Sequence, residues 1–418
     1  MKRILRSLAI LLCLSMLLSL VACGRNGKDA DTPSPNTNDT LTRPEWDKME
    51  YFQNYVSNTL AGTSNQLYFD NTPANGAVSE GMMFYKATVG GEYEYSLLFS
   101  NAIDTTFAEG DSGVANMKLE DFEITGVKIG VMSGNARPTP QNAERKVGFI
   151  STAVSKYTHT NGVTYFETAP VKLDAAAGDY IVVVVAFTGS RVPCHVESLI
   201  PTYKKENGSW SESKYIPLAN MVGIKRAVKA TVAYLGDSIT QGIGVDENDY
   251  SFWSAVTSQK LGNDFAYWNL GIGYARCSDA ATDGSWLFKA KQAEYVIVCL
   301  GTNDIASDYA DGPTLCADLE KVVDALNDAG CRVIVQMVPP FTYEEYTLGT
   351  WFQANDYIRN TLSQKVVAVF DPSELLMTEE KMPNKLLYGG HPNKKGCKVW
   401  GEALYAFLTA NVEGFQVK

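Results

Sequence analysis

Four short stretches carry side chains that can move a proton or hold a developing charge. Gly236-Asp237-Ser238-Ile239-Thr240 follows the apolar run 230–235, Gly271-Ile272-Gly273-Tyr274 follows 265–270, and Gly301-Thr302-Asn303-Asp304 follows 295–300. The fourth, Gly389-Gly390-His391-Pro392-Asn393, stands just before the last helical segment. A serine, a glycine-rich turn, an asparagine amide and a histidine are the parts acyl transfer needs: a nucleophile, donors for an oxyanion and a general base. Thr240 stands where Gly-x-Ser-x-Gly would have its second glycine, so the α/β-hydrolase elbow does not match. Only three histidines exist. His159, in the turn "YTHTNG", and His195, read as lying in a loop, are expected at the surface rather than in a site.

The elements that must position these groups are legible around them. After residue 228, apolar runs at 230–235, 265–270, 295–300, 332–338 and 366–371 alternate with helix-period segments. Leu315, Leu319, Val322, Val323 and Leu326 keep one face apolar, with Pro313 suited to the first turn and Gly330 to the stop. Trp351, Ala354, Ile358 and Leu362 repeat the pattern in the next crossover. Such alternation predicts a parallel sheet with helices on both faces, and ligands of such sheets bind outside the carboxyl ends of the strands. Before residue 228 the chain reads differently. "YEYSLLFSN", "FEITGVKIGVM", "KVGFISTAV", "VTYFETAPVKL" and "DYIVVVVAF" are strand-like, with breakers between them and no helical periodicity from 78 to 190. A β-sandwich is the expectation there.

Taken together, Gly-Asp-Ser-Ile-Thr, Gly-Thr-Asn-Asp and His-Pro-Asn resemble the GDSL esterases of the SGNH hydrolase superfamily, in the family's order across residues 228–412. The resemblance implies a flavodoxin-like SGNH hydrolase domain. It implies Ser238 as nucleophile, His391 as general base, and an oxyanion held by the N–H of Ser238, a glycine-turn N–H (Gly273, with Tyr274 next to it) and the Asn303 amide. The N-terminal half is similar, more loosely, to the β-domain that precedes the hydrolase domain in some secreted bacterial members. Two positions depart from the pattern. Tyr388 stands three residues before the histidine, where members commonly carry the aspartate that orients the imidazole. Either a main-chain carbonyl or another acid, Asp371 or Glu374, is left for that task. Tyr274 stands where Asn-x-Gly-x-x-Gly would place its last glycine. Asp237 is expected to cap a helix or turn, Asp304 to anchor a local hydrogen bond, and Trp268, Trp286 and Trp351 to pack in the core.

The outer limits come from composition. With 418 residues, 45% hydrophobic, and a formal charge of −11, the chain reads as two folded domains that do not seek nucleic acid or anionic lipid. Lys2, Arg3 and Arg6 precede the apolar stretch 7–22, too short to span a bilayer comfortably. Its end, Leu20-Val21-Ala22-Cys23-Gly24, resembles the lipobox of bacterial lipoproteins and implies lipidation of Cys23. Six further cysteines form no C-x-x-C pair, which removes zinc-ribbon and thioredoxin-like readings. Cys299 and Cys331, in or beside apolar runs, are expected as buried thiols.

The domains expected are a signal peptide at 1–22, a flexible linker at 23–43, a β-sandwich at 44–225 and the SGNH hydrolase domain at 226–418. The function expected is that of a lipid-anchored serine esterase on the outer face of a bacterial membrane, acting on small or polysaccharide esters, O-acetyl groups on carbohydrate first. No metal or organic cofactor is implied, and the membrane is met only through the anchor. The competing reading is a degenerate hydrolase scaffold that binds glycans at the cell surface.

Overall fold

The computed structural model describes residues 48–72, 77–105, 116–378 and 387–416. The signal segment, Cys23 and the linker to residue 43 lie outside the described residues. Five strands form a parallel sheet: β1 (Ala230–Gly236), β2 (Phe265–Gly271), β3 (Tyr295–Cys299), β4 (Arg332–Gln336) and β5 (Ala368–Phe370). Their order, β2-β1-β3-β4-β5, is the flavodoxin-like order, whose switch point lies between β1 and β3. Every residue of β1, β2 and β3 is buried, which is why these strands read as continuous apolar runs.

Successive side chains of β1 go to opposite faces. Val232 and Tyr234 join Ile297 and Ile334 on the face covered by α2 (Trp253–Leu261) and α6 (Lys394–Asn411). There the rings of Trp253 and Trp400 stack with centroids 5.2 Å apart. Ala233 and Leu235 join Val296, Val298 and Val333 on the other face, under α4 (Gly312–Asp328) and α5 (Leu348–Asn360). Asp311 caps α4 by accepting from the Thr314 N–H at 2.9 Å, and Pro313 lies in its first turn, where a missing N–H costs nothing.

Ahead of this domain lies an antiparallel, strand-rich region. One six-stranded sheet is centred on Gly91–Ser100, another on Val78–Lys86, Tyr180–Gly189 and Phe122–Met132. Tyr95, Leu97 and Phe99 of the first meet Met83, Tyr85, Ile181 and Val183 of the second in one apolar core. A short helix, Pro140–Lys146, interrupts a stretch expected to lack helices. It buries only Pro140 and Ala143, so seven residues left no periodicity to read.

The two regions are tied along an edge. An open sheet leaves the outer side of β2 unpaired, and here residues 60–63 cover it. Gly62 bridges Asn269 in parallel, the Thr63 N–H donates to Asn269 O at 3.2 Å, and the Asn269 amide donates to Leu60 O at 3.3 Å. Close by, Lys289 of the helix Ser285–Ala290 reaches Asp104 at 2.6 Å, both side chains almost wholly buried. Asp104 also accepts from the Asn65 N–H and the Ser285 hydroxyl, each at 2.8 Å, so its lone pairs are well used. Lys289→Met strands that carboxylate without its counter-charge. Chemical denaturation should show a loss of about 3–5 kcal/mol, and Asp104→Asn added to Lys289→Met should recover part of it.

Candidate active site

Gly236 lies level with Gly271 on one side and Cys299 on the other, so β1, β2 and β3 end on a single rung. From that rung the chain turns at once into α1 (Ser238–Gln241), capped by Asp237, whose Oδ1 accepts from the Ile239 N–H at 2.9 Å. The first turn of α1 lies so close over the strand ends that both glycines are required. A Cβ on Gly236 would strike the Thr240 side chain of α1 and meet Cys299 O of β3 at 2.6 Å, and one on Gly271 would strike the Gln241 nitrogen. Ser238 is therefore delivered at the switch point as the first residue of a helix. Its N–H has no carbonyl to reach within that helix.

Ser238 Oγ lies 2.8 Å from His391 Nε2, a hydrogen bond spanning 153 residues. A neutral imidazole protonated at Nδ1 accepts the serine proton there. His391 sits on a tight hairpin in which Gly389 pairs with His391 across Gly390, at φ +87°. The loop after Ser238 presses on this hairpin: Gly244 has φ +105°, and a Cβ there would stand 3.1 Å from His391 Cβ. Phe341, from the loop after β4, makes a T-shaped contact with the imidazole, ring centroids 6.3 Å apart. Burial alone lowers the His391 pKa below the ordinary imidazole value.

Neither acid considered from the sequence orients this ring. Asp371 accepts from the Ser373 N–H at 2.9 Å and from Arg359, and Glu374 is exposed. Among the described residues no carboxylate bonds to His391. Tyr388 is 1% exposed and turned into the core, with burial first, and the titratable groups of Tyr343 and Asp237 after it, holding its phenol well above the usual range. It anchors the hairpin from inside rather than standing in for an aspartate.

The remaining groups converge from β2 and β3. Asn303, in α3 (Thr302–Ala306), donates one amide hydrogen to Ala275 O at 2.9 Å, which fixes the plane of the amide and the direction of its second N–H. Asp304 accepts from the Cys277 N–H at 2.9 Å, so two successive residues of α3 hold the chain that follows the glycine turn. Within that turn Tyr274, not Gly273, takes the left-handed conformation, φ +60°, and the residue is 55% exposed. The position where a glycine was expected does need a glycine-like backbone, and tyrosine accepts it. Burial lifts the carboxyl of Asp237 to about 7, with Asp304 adding like charge, and that of Asp304 to about 6.

Other residues stand apart from this constellation. His195 is buried, not on a surface loop: it lies in the strand Arg191–Val196, its Nδ1 is 2.8 Å from Ser64 O, and desolvation lowers its pKa to about 4. Its apolar neighbours Val192, Cys194 and Val196 carried the signal for that strand. His159 packs on Phe288 with centroids 4.7 Å apart. Trp268, Trp286 and Trp351 are buried, and so are the six described cysteines, Cys299 and Cys331 among them, with no disulfide joining any two of them. A cavity of about 510 Å³ lies in the strand-rich region between Asp121 and Phe166, away from Ser238. Sequence reading missed Gln66, Gly244 and Phe341, since no local pattern points from them to the site.

Residues 234–399 match the model of the GDSL-like Lipase/Acylhydrolase family, so this stretch is a GDSL-like acylhydrolase domain. No curated protein matches the chain. Among solved structures, a family two carbohydrate esterase from Clostridium thermocellum in complex with cellohexaose is similar over 84% of this chain and 99% of its own, at 14% identity and TM-score 0.40. The native aryl esterase of M. smegmatis covers 44% of this chain and 99% of its own, at 19% identity and TM-score 0.35. A carbohydrate esterase family 3 structure from Talaromyces cellulolyticus covers 43% and 96%, at 19% identity and TM-score 0.33. Likenesses this loose carry no argument about activity.

The site makes a prediction before any substrate is named. Protonation of His391 must be forced on a ring taken out of water, so its titration, followed by NMR of the ring protons, should have a midpoint below about 6.5.

Proposed function

We propose that the chain is a lipid-anchored serine esterase acting by a Ser–His dyad, with O-acetyl groups on carbohydrate as its first substrate class. The hydrogen bond of 2.8 Å from Ser238 to His391 carries the reading, supported by the match of residues 234–399 to the acylhydrolase family. In the first step Ser238 Oγ bonds to the ester carbonyl carbon while its proton passes to His391 Nε2. The carbonyl oxygen becomes an oxyanion facing the N–H groups of Ser238 and the glycine turn and the second N–H of Asn303. Collapse breaks the bond to the alcohol oxygen, which takes the proton from Nε2 and leaves an acyl-serine. Water then repeats the sequence, giving its proton to Nε2, and the carboxylic acid departs as Ser238 recovers its proton.

A dyad without a carboxylate suits the surroundings of His391. With no carboxylate bonded to it among the described residues, the imidazolium formed in the transition state relies on the oxyanion and on fixed dipoles, and the resting base stays neutral to lower pH. Tyr274, exposed in the glycine turn, offers a sugar an apolar face with a polar tip in water. The acidic charge and the export signal fit a neutral polymer outside the cell better than anionic lipid. The anchor at Cys23 and a position on the outer face of the membrane rest on the pattern of residues 2–24.

Full-length protein in detergent should hydrolyse p-nitrophenyl acetate and release acetate from acetylated xylan. Ser238→Ala and His391→Ala should each lower kcat at least about 10³-fold, and Asn303→Ala about 10²–10³-fold. Wild-type protein that turns over neither ester, yet is retained on a polysaccharide column, would replace the esterase with a binding scaffold. In the active enzyme kcat/KM needs neutral His391, so it should rise with pH to a plateau, with the half-point of its acid limb below about 6.5.

A further inference from the structure

The glycine turn receives one hydrogen bond that neither the motif nor the acylhydrolase domain supplies. Gln66, from the strand-rich region, donates from Nε2 to Gly273 O at 2.9 Å, across 207 residues of chain. Gln66 is 2% exposed, and among the described residues it is the donor that this carbonyl has. We infer that Gln66 is a positioning residue for the oxyanion donors of the glycine turn, an inference that rests on the esterase reading above.

The geometry supports this in three ways. First, the donor stands on a rigid base. The Gln66 N–H donates to Cys194 O at 2.8 Å, and the neighbouring Asn65 donates from its N–H to Asp104 at 2.8 Å and from its amide to Ser100 O and Ala102 O at 3.0 and 3.1 Å. Asp104 is the carboxylate paired with buried Lys289, so the loop carrying Gln66 is fixed to the acylhydrolase domain itself.

Second, the turn needs holding. Tyr274 keeps φ +60°, a conformation that is unfavourable for an L-residue and persists only where surrounding contacts over-determine it. The Gly273–Tyr274 peptide is the unit at stake. In a trans peptide the C=O and N–H point in opposite directions, so fixing Gly273 O toward Gln66 fixes the direction of the Tyr274 N–H. The same bond limits the rotation of Gly273, whose own N–H is the donor nearest in the chain.

Third, there is no slack on the Gln66 side. A Cβ at Gly273 would stand 3.0 Å from Gln66 Nε2 and 3.2 Å from Gln241 Oε1. Gln241, in turn, donates to Val196 O at 3.1 Å, so strand-rich backbone also backs the helix that carries Ser238. Donors aimed in advance at the developing oxyanion act without reorganising as the reaction proceeds. The antiparallel region thereby contributes to the chemical step and not only to reach or attachment.

The test uses full-length Gln66→Met, which keeps the length of the side chain and removes the donor. Expected is a fall in kcat on p-nitrophenyl acetate of about 10-fold with KM and the acid limb unchanged. Affinity for a trifluoromethyl ketone, which forms a tetrahedral adduct on Ser238, should fall by the same factor as kcat/KM. Gln66→Glu, which turns an acceptor toward the same carbonyl, should lose at least as much at neutral pH and serves if the methionine variant does not fold.

A merely structural glutamine would lower the unfolding midpoint and leave kcat and analogue affinity within twofold of wild type, which overturns the inference. A change confined to KM overturns it too. Wild-type protein that neither turns over nor binds the ketone overturns the esterase reading and this inference together. Active wild type with an unaltered Gln66→Met overturns this inference alone.

Discussion

Everything at this site depends on three parallel strands ending level. Gly236, Gly271 and Cys299 share a rung, and α1 starts immediately above it, close enough that a methyl group on Gly236 would strike the Thr240 side chain and one on Gly271 the Gln241 backbone. That contact sets Ser238 at the point where the strand order reverses, and from the same rung β2 sends out the glycine turn and β3 sends out Asn303. Strand ends in register convert three separate stretches of sequence into one cluster without help from loop flexibility. The histidine, which has no strand of the sheet to carry it, is brought in by a hairpin anchored from within by Tyr388 and pressed from outside by Gly244.

The environment of that hairpin explains the missing aspartate in physical terms. Position 388 is buried, and it feels the charge of Asp237, whose carboxyl is already lifted to about 7 by desolvation. An aspartate at 388 would set a second carboxyl against the first in a site with little water, where neither gains from being charged. A tyrosine fills the space and adds no charge at neutral pH. His391 then has burial as the cause of its shift, which keeps it neutral to a lower pH than an ordinary imidazole.

The strand-rich region is joined to this machinery by more than a linker. Residues 60–63 run along β2, and the buried Asp104–Lys289 pair holds the neighbouring loop to the acylhydrolase domain. Covering an open sheet edge is reason enough for such a seam, since an unpaired edge invites other chains. Its location at the carboxyl end of β2 also places it within hydrogen-bonding distance of the glycine turn. The seam thus serves stability and geometry through the same few residues.

Much of this was legible in the residues themselves. The runs ending at Leu235, Leu270 and Leu300, and the apolar face from Leu315 to Leu326, determined a parallel sheet with helices, because burial on both faces leaves an unbroken apolar stretch and burial on one face leaves a helical period. The types and order of Ser238, Asn303 and His391 determined the chemistry to look for, since few side chains can act as nucleophile, oxyanion donor and base. Only the tertiary structure decided that His195 is buried, that Tyr274 holds a left-handed backbone, that Tyr388 turns inward, and that Gln66 meets Gly273. Local periodicity reports on neighbours three or four residues away. A hydrogen bond across 207 residues exists only after two regions have packed together, and nothing in either segment alone records which partner the other will bring.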